Sequence, residues 1–111
     1  QKFGDISGDY NPVHFDPEFA LSRGLEGKIA HGLVMNSIAS KYYGMKYPGF
    51  GTLFIGYSYK FLKPLYLDEL YVVRISFPKI DSRKGIYMSM VQVRDRNNNL
   101  CLLSYNDLYK K

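Results

Sequence analysis

Both histidines of this 111-residue chain fall within its first 31 positions. His14 closes the run Gly8-Asp9-Tyr10-Asn11-Pro12-Val13-His14. Asn11-Pro12 is a turn dipeptide, so the chain can fold Asp9 and His14 back toward one another. An aspartate and a histidine facing one cavity can share a water molecule, one accepting its proton while the other holds or returns one. The same spacing also suits a plainer role, with Asp9 capping a turn and His14 packed as a structural residue. Spacing alone does not choose between the two.

The second histidine lies in Ile29-Ala30-His31-Gly32-Leu33, where a helical pattern begins. A glycine inside a helix costs roughly 1 kcal/mol relative to alanine, so Gly32 needs a reason. Close packing against a strand is one. The approach of a substrate carbonyl to its bare N–H is another, because a helix N-terminus favours developing negative charge.

The elements that must hold these residues divide at about Tyr47–Gly51. Before that point, Asp16-Pro17-Glu18 reads as a helix start, with Asp16 as N-cap and Pro17 first in the helix, and this short helix stops by Gly24. From Ile29 to Tyr43, Ala30, Leu33, Val34, Ile38, Ala39 and Tyr42 recur at helical spacing, Met35 and Tyr43 widen the apolar face, and Gly44 is the expected C-cap. After the division come four strand patterns. Leu53, Ile55, Tyr57, Tyr59 and Phe61 form the first buried face; Tyr71, Val73, Ile75 and Phe77 the second, ending at Pro78; Ile86, Met88 and Met90 the third; and the run from Leu100 to Tyr109 is the fourth. A helix followed by antiparallel strands gives an α+β fold in one domain, residues 1–111.

Composition narrows the class. Hydrophobic residues make up 46% of the chain, enough for a core, and the 15 basic against 10 acidic residues give a net charge of +5. The basic residues are dispersed, which disfavours a nucleic-acid partner and leaves a surface that attracts anionic substrates. A single cysteine and two histidines exclude a disulfide framework and a Cys-rich zinc site. No run reaches the roughly 18 apolar residues of a membrane span, and no secretion signal is visible, so the expectation is a cytoplasmic protein without a membrane partner.

Three ordered segments carry a resemblance: Ser7-Gly8-Asp9-Tyr10-Asn11-Pro12-Val13-His14-Phe15-Asp16, Gly27-Lys28-Ile29-Ala30-His31-Gly32, and Lys60-Phe61-Leu62-Lys63-Pro64. Together they closely resemble the MaoC-like family, which includes the (R)-specific enoyl-CoA hydratases. The resemblance implies a hot-dog fold, a curved antiparallel sheet wrapped around one long helix. It implies reversible hydration of a trans-2-enoyl thioester, on CoA or an acyl-carrier protein, with no metal or other cofactor. Asp9 and His14 match the family's water-activating dyad, and Gly32 matches the glycine whose N–H polarises the thioester carbonyl. Asn11, His31, Leu33 and Ser40 complete the expected substrate-binding set. Ser40 is the remotest, because eight residues at 1.5 Å place it about 12 Å beyond Gly32, so the two cannot bind the same oxygen. Lys60 and Lys63 either meet CoA phosphates or form an ordinary exposed strand edge.

Members of the family usually carry a strand and part of a helix before the Ser-Gly-Asp segment, whereas six residues precede Ser7 here. The expectation is a domain lacking the usual N-terminal strand. A homodimer or higher homo-oligomer is also expected, since a sheet this small and apolar gains from association. Two rivals stand beside the hydratase. A thioesterase on the same fold would use an acidic residue on the central helix, and none lies between Ile29 and Gly44. A non-catalytic acyl-thioester-binding or regulatory module would have no use for intact Asp9, His14 and Gly32.

Overall fold

The computed structural model describes residues 2–111. Three helices, α1 (Lys2–Ser7), α2 (Pro17–Ser22) and α3 (Gly32–Met45), precede four strands, β1 (Leu53–Phe61), β2 (Val72–Asp81), β3 (Ile86–Arg94) and β4 (Leu100–Tyr109). The strands form one antiparallel sheet in the order β1-β4-β3-β2, with α3 packed on one face. This is the α+β, hot-dog arrangement. Among the described residues no helix is long and apolar enough to cross a membrane.

Local chemistry explains most of the boundaries. Asp16 caps α2, its carboxylate accepting from the N–H groups of Glu18 and Phe19, with Pro17 in the first turn where no N–H is needed. Gly24 follows α2 at φ 82°, a conformation that glycine adopts freely. The β3–β4 turn is built on Asp95, whose carboxylate accepts from the N–H groups of Asn97 and Asn99 and from the Asn99 amide, while Asn98 takes a φ of 65°. The asparagine run is thus turn chemistry.

Several expectations need correcting. The long helix begins at Gly32, and Ile29 lies instead in an extended segment bridged to Tyr66. The helix runs through Gly44 to Met45, with Lys46 as C-cap. Its buried positions are Ala39 and Tyr43, whereas Leu33, Ile38 and Tyr42 are exposed, so the apolar surface is wider than the face this sheet covers. In β1 a bulge at Ile55 shifts the register between Phe54 and Gly56. Phe54 packs on the core, while Leu53, Ile55, Tyr57 and Phe61, all expected on the buried face, are exposed. The expected face of β3 is reversed: Ser89, Val91 and Val93 are buried, and Met88 is exposed. β2 continues past Pro78 to Asp81, through a register irregularity between Ser76 and Lys79. An edge strand tolerates that proline because its missing N–H costs no ladder bond.

The core joins Ala39 and Tyr43 of α3 to Val91, Val93, Leu102 and Leu108 of the central strands. A polar chain crosses it. Tyr43 donates to Ser89 Oγ at 2.6 Å and accepts from Asn106 Nδ2 at 2.9 Å; Ser89 in turn donates to the Ser76 carbonyl at 3.0 Å. Tyr43, Asn106 and Ser89 are each about 1% exposed, so these bonds satisfy groups that would be costly to bury alone.

Candidate active site

The site is assembled around the backbone of Ile29. Its N–H donates to the Val13 carbonyl at 3.0 Å, and its carbonyl accepts from His14 Nδ1 at 2.9 Å. That acceptor requires the hydrogen on Nδ1, which leaves Nε2 of the neutral ring as a lone-pair acceptor. The turn before His14 is a single 3₁₀ turn, Pro12–His14, capped by the Asn11 side chain accepting from the Val13 N–H. The Asn11 N–H donates to Asp9 Oδ1 at 3.2 Å. Asn11 therefore shapes the turn that presents Asp9.

This fold-back brings Asp9 Oδ2 to 3.9 Å from His14 Nε2. The two side chains differ in access, 48% exposed for Asp9 and 10% for His14. At this separation they do not bond each other, but one water molecule can hydrogen-bond both.

His31 stands behind the pair. It is 7% exposed, donates from Nε2 to the Asp9 main-chain carbonyl at 2.9 Å, and stacks on His14 with ring centroids 3.9 Å apart. Its role here is to brace the Asp9 turn and the His14 ring. Ligand atoms of Asp9, His14 and His31 lie within 4.8 Å of one another. They do not form a metal set, because the rings stack at only 23° and in-plane lone pairs on near-parallel rings do not converge.

Gly32 opens α3 at its first helical position, where the N–H has no intrahelical acceptor. It shares a cleft of about 380 Å³ with His14, Ile29, Ala30 and Phe61 through Leu65. A Cβ on Gly32 would come within 2.5 Å of the Phe61 ring, so the close packing against a strand that this glycine permits is real. Ala30 donates to the Leu65 carbonyl, fixing the opposite wall.

Leu33 and Ser40, expected at substrate, do not join this cleft. Leu33 follows Gly32 by one residue and turns about 100° away to the exposed face. Ser40 is likewise exposed, two turns along the helix. Lys63 lines the cleft, whereas Lys60 is exposed on β1. The sequence places Phe61 only on the buried face of the first strand; the unusual helical glycine, which needs a close neighbour, is the signal that singles it out.

Fold and site together define a hot-dog domain with an Asp-His pair and a helix N-terminus at one cleft. Residues 1–97 match the MaoC-like domain family, and the chain belongs to that family. Among its relatives, the (R)-specific enoyl-CoA hydratase of Aeromonas caviae is 31% identical over 84 residues, 76% of this chain and 63% of the relative. The mitochondrial 3-hydroxyacyl-[acyl-carrier-protein] dehydratase of Arabidopsis thaliana is 24% identical over 106 residues, 96% of this chain and 59% of the relative. The chain thus spans about 60% of the length of these relatives. The fold matches the solved (R)-hydratase of A. caviae with a TM-score of 0.89 at 24% identity, covering 99% of this chain and 83% of that one.

Proposed function

We propose that the protein is an enoyl-thioester hydratase, adding water reversibly to a trans-2-enoyl group on CoA or an acyl-carrier protein to give an (R)-3-hydroxyacyl thioester. The observation that carries this reading is the shared cleft, with Gly32 and His14 on its wall and Asp9 at 3.9 Å from His14 Nε2. The thioester carbonyl accepts from the Gly32 N–H, which stabilises the charge that builds on oxygen as C3 is attacked. A water held between Asp9 and His14 bonds through oxygen to C3. Asp9 is the favoured base, and the proton the pair takes is balanced by the one delivered to C2.

The test is loss of enoyl absorbance with crotonyl-CoA. Asp9→Asn and His14→Ala are each expected to lower kcat/KM by about 10²–10⁴. Gly32→Ala, whose methyl competes with Phe61 and the carbonyl for one space, is expected to lose about 10² or more. Full activity in Asp9→Asn or His14→Ala would sink the assignment.

We also propose that two copies pair through β1. This strand has one free edge, and Leu53, Ile55 and Tyr57 on it are 58–61% exposed. An unpaired edge beside exposed apolar side chains favours association. Sedimentation equilibrium should give twice the chain mass, reduced toward the monomer by Ile55→Lys; a wild-type monomer at micromolar concentration would refute the pairing.

A further inference from the structure

Beyond the cleft, the seam between α3 and the sheet holds two polar atoms that satisfy nothing. Asn36 Oδ1 and Tyr59 Oη are both shielded from solvent and without a hydrogen-bond partner. They line one pocket with Met35, Ala39, Leu102 and Ser104, too tight to hold a water molecule. Such orphans are rare in a folded core and call for an explanation.

Their placement supplies one. Asn36 lies four residues after Gly32, one turn and about 6 Å further along the helix. Tyr59 lies two residues before Phe61 on the same face of β1, the rings stacked with centroids 6.1 Å apart. The seam thus lies beside the cleft, behind the Phe61 ring that packs on Gly32, and further along α3. Its chemistry is mixed: the Tyr59 hydroxyl can donate, Asn36 Oδ1 can accept, and Ser104 Oγ retains accepting capacity while it donates to Asn106 at 3.3 Å. Met35, unbranched and with three rotatable side-chain bonds, is the residue best suited to swing and open the space.

We propose that this seam is a specificity subsite that selects acyl thioesters carrying a hydroxyl five or six carbons from the thioester carbonyl. The inference rests on the thioester reading above. A hydroxyl is the one common acyl substituent that accepts from Tyr59 and donates to Asn36 at the same time. A plain hydrocarbon chain entering the seam leaves both groups unpaired, and sites built to bond a hydroxyl reject the analogue lacking it.

The experiment compares binding of 6-hydroxyhexanoyl-CoA with that of hexanoyl-CoA to the full chain by calorimetry, saturated ligands that the hydratase cannot turn over. The wild type should bind the hydroxylated ligand about tenfold tighter or more. Tyr59→Phe and Asn36→Leu should each bring that ratio toward one, chiefly by weakening the hydroxylated ligand. Equal affinities in the wild type overturn the proposal, as does an unchanged ratio in Tyr59→Phe. If the wild type hydrates crotonyl-CoA yet shows no preference, the subsite alone fails. If it neither hydrates crotonyl-CoA nor binds either ligand, the subsite and the thioester reading fail together.

Discussion

Helix α3 lies over two polar groupings that differ in how their bonds are met. Toward its C-terminal end, Tyr43 exchanges hydrogen bonds with Ser89 and Asn106 in a region about 1% exposed. Toward its N-terminal end, Asn36 and Tyr59 face the seam with their oxygens unpaired. A satisfied buried network fixes one register of helix on sheet, whereas an unsatisfied one is held at a cost and is open to whatever completes it. The saturated end anchors the helix. The unsaturated end lies nearer the cleft that Gly32 and His14 line.

Removing a hydroxyl at each end should break this symmetry of composition. Tyr43→Phe strips Asn106 Nδ2 of its acceptor and Ser89 Oγ of its donor inside the core, and should cost about 1–3 kcal/mol, read as a lower urea midpoint at unchanged m-value. Tyr59→Phe removes a hydroxyl that bonds nothing, so its midpoint should be unchanged or slightly higher. A loss in Tyr59→Phe as large as that in Tyr43→Phe would show that the two ends are not different after all.

The same contrast marks how far the sequence could be read. The run Leu100–Tyr109 matched β4 residue for residue because it is bounded by a turn cluster and lies at the centre of the sheet. In β3 the alternation points to the wrong face because both of its faces are largely apolar and a buried serine, Ser89, interrupts the true one. That serine is buried because Tyr43 reaches it from 46 residues away, a pairing no local pattern carries. In β1 the alternation was real, but the bulge at Ile55 reverses its sense partway, and a one-residue insertion leaves no trace in a period-two pattern. α1 escaped notice because six residues are too few for a periodic signal. At the candidate site, the approach of Asp9 to His14 follows from the Asn11-Pro12 turn, and the close neighbour of Gly32 from its cost in a helix, while their roles rest on the resemblance. The bracing by His31 and the partnership of Phe61 with Gly32 depend on tertiary contacts. Leu33 and Ser40 lie off the cleft through helix phase, since residues one step from an inward position face away from it.

The smallest effect, and the one that bears most directly on the two ends, is alkaline. Burial is the main cause that pushes the Tyr59 hydroxyl up to about 12, with Tyr57 and Tyr43 adding to it, from an ordinary value of 10.0. Burial also raises Tyr43, but there the hydrogen bonds with Ser89 and Asn106 pull in the opposite direction. Each is an acid whose neutral form the fold favours. Between pH 10 and 12 the unfolded chain therefore binds fewer protons at these sites than the native one, and stability must fall as pH rises through that window, being fully present below it. The urea midpoint of the wild type should drop between pH 9 and pH 11, and Tyr59→Phe should lessen that drop. Tyr10 and Tyr71, also raised, leave a residual slope in the variant. An undiminished slope in Tyr59→Phe would mean that the native fold lets this hydroxyl ionise as readily as it does in water, and the seam would then not be dry.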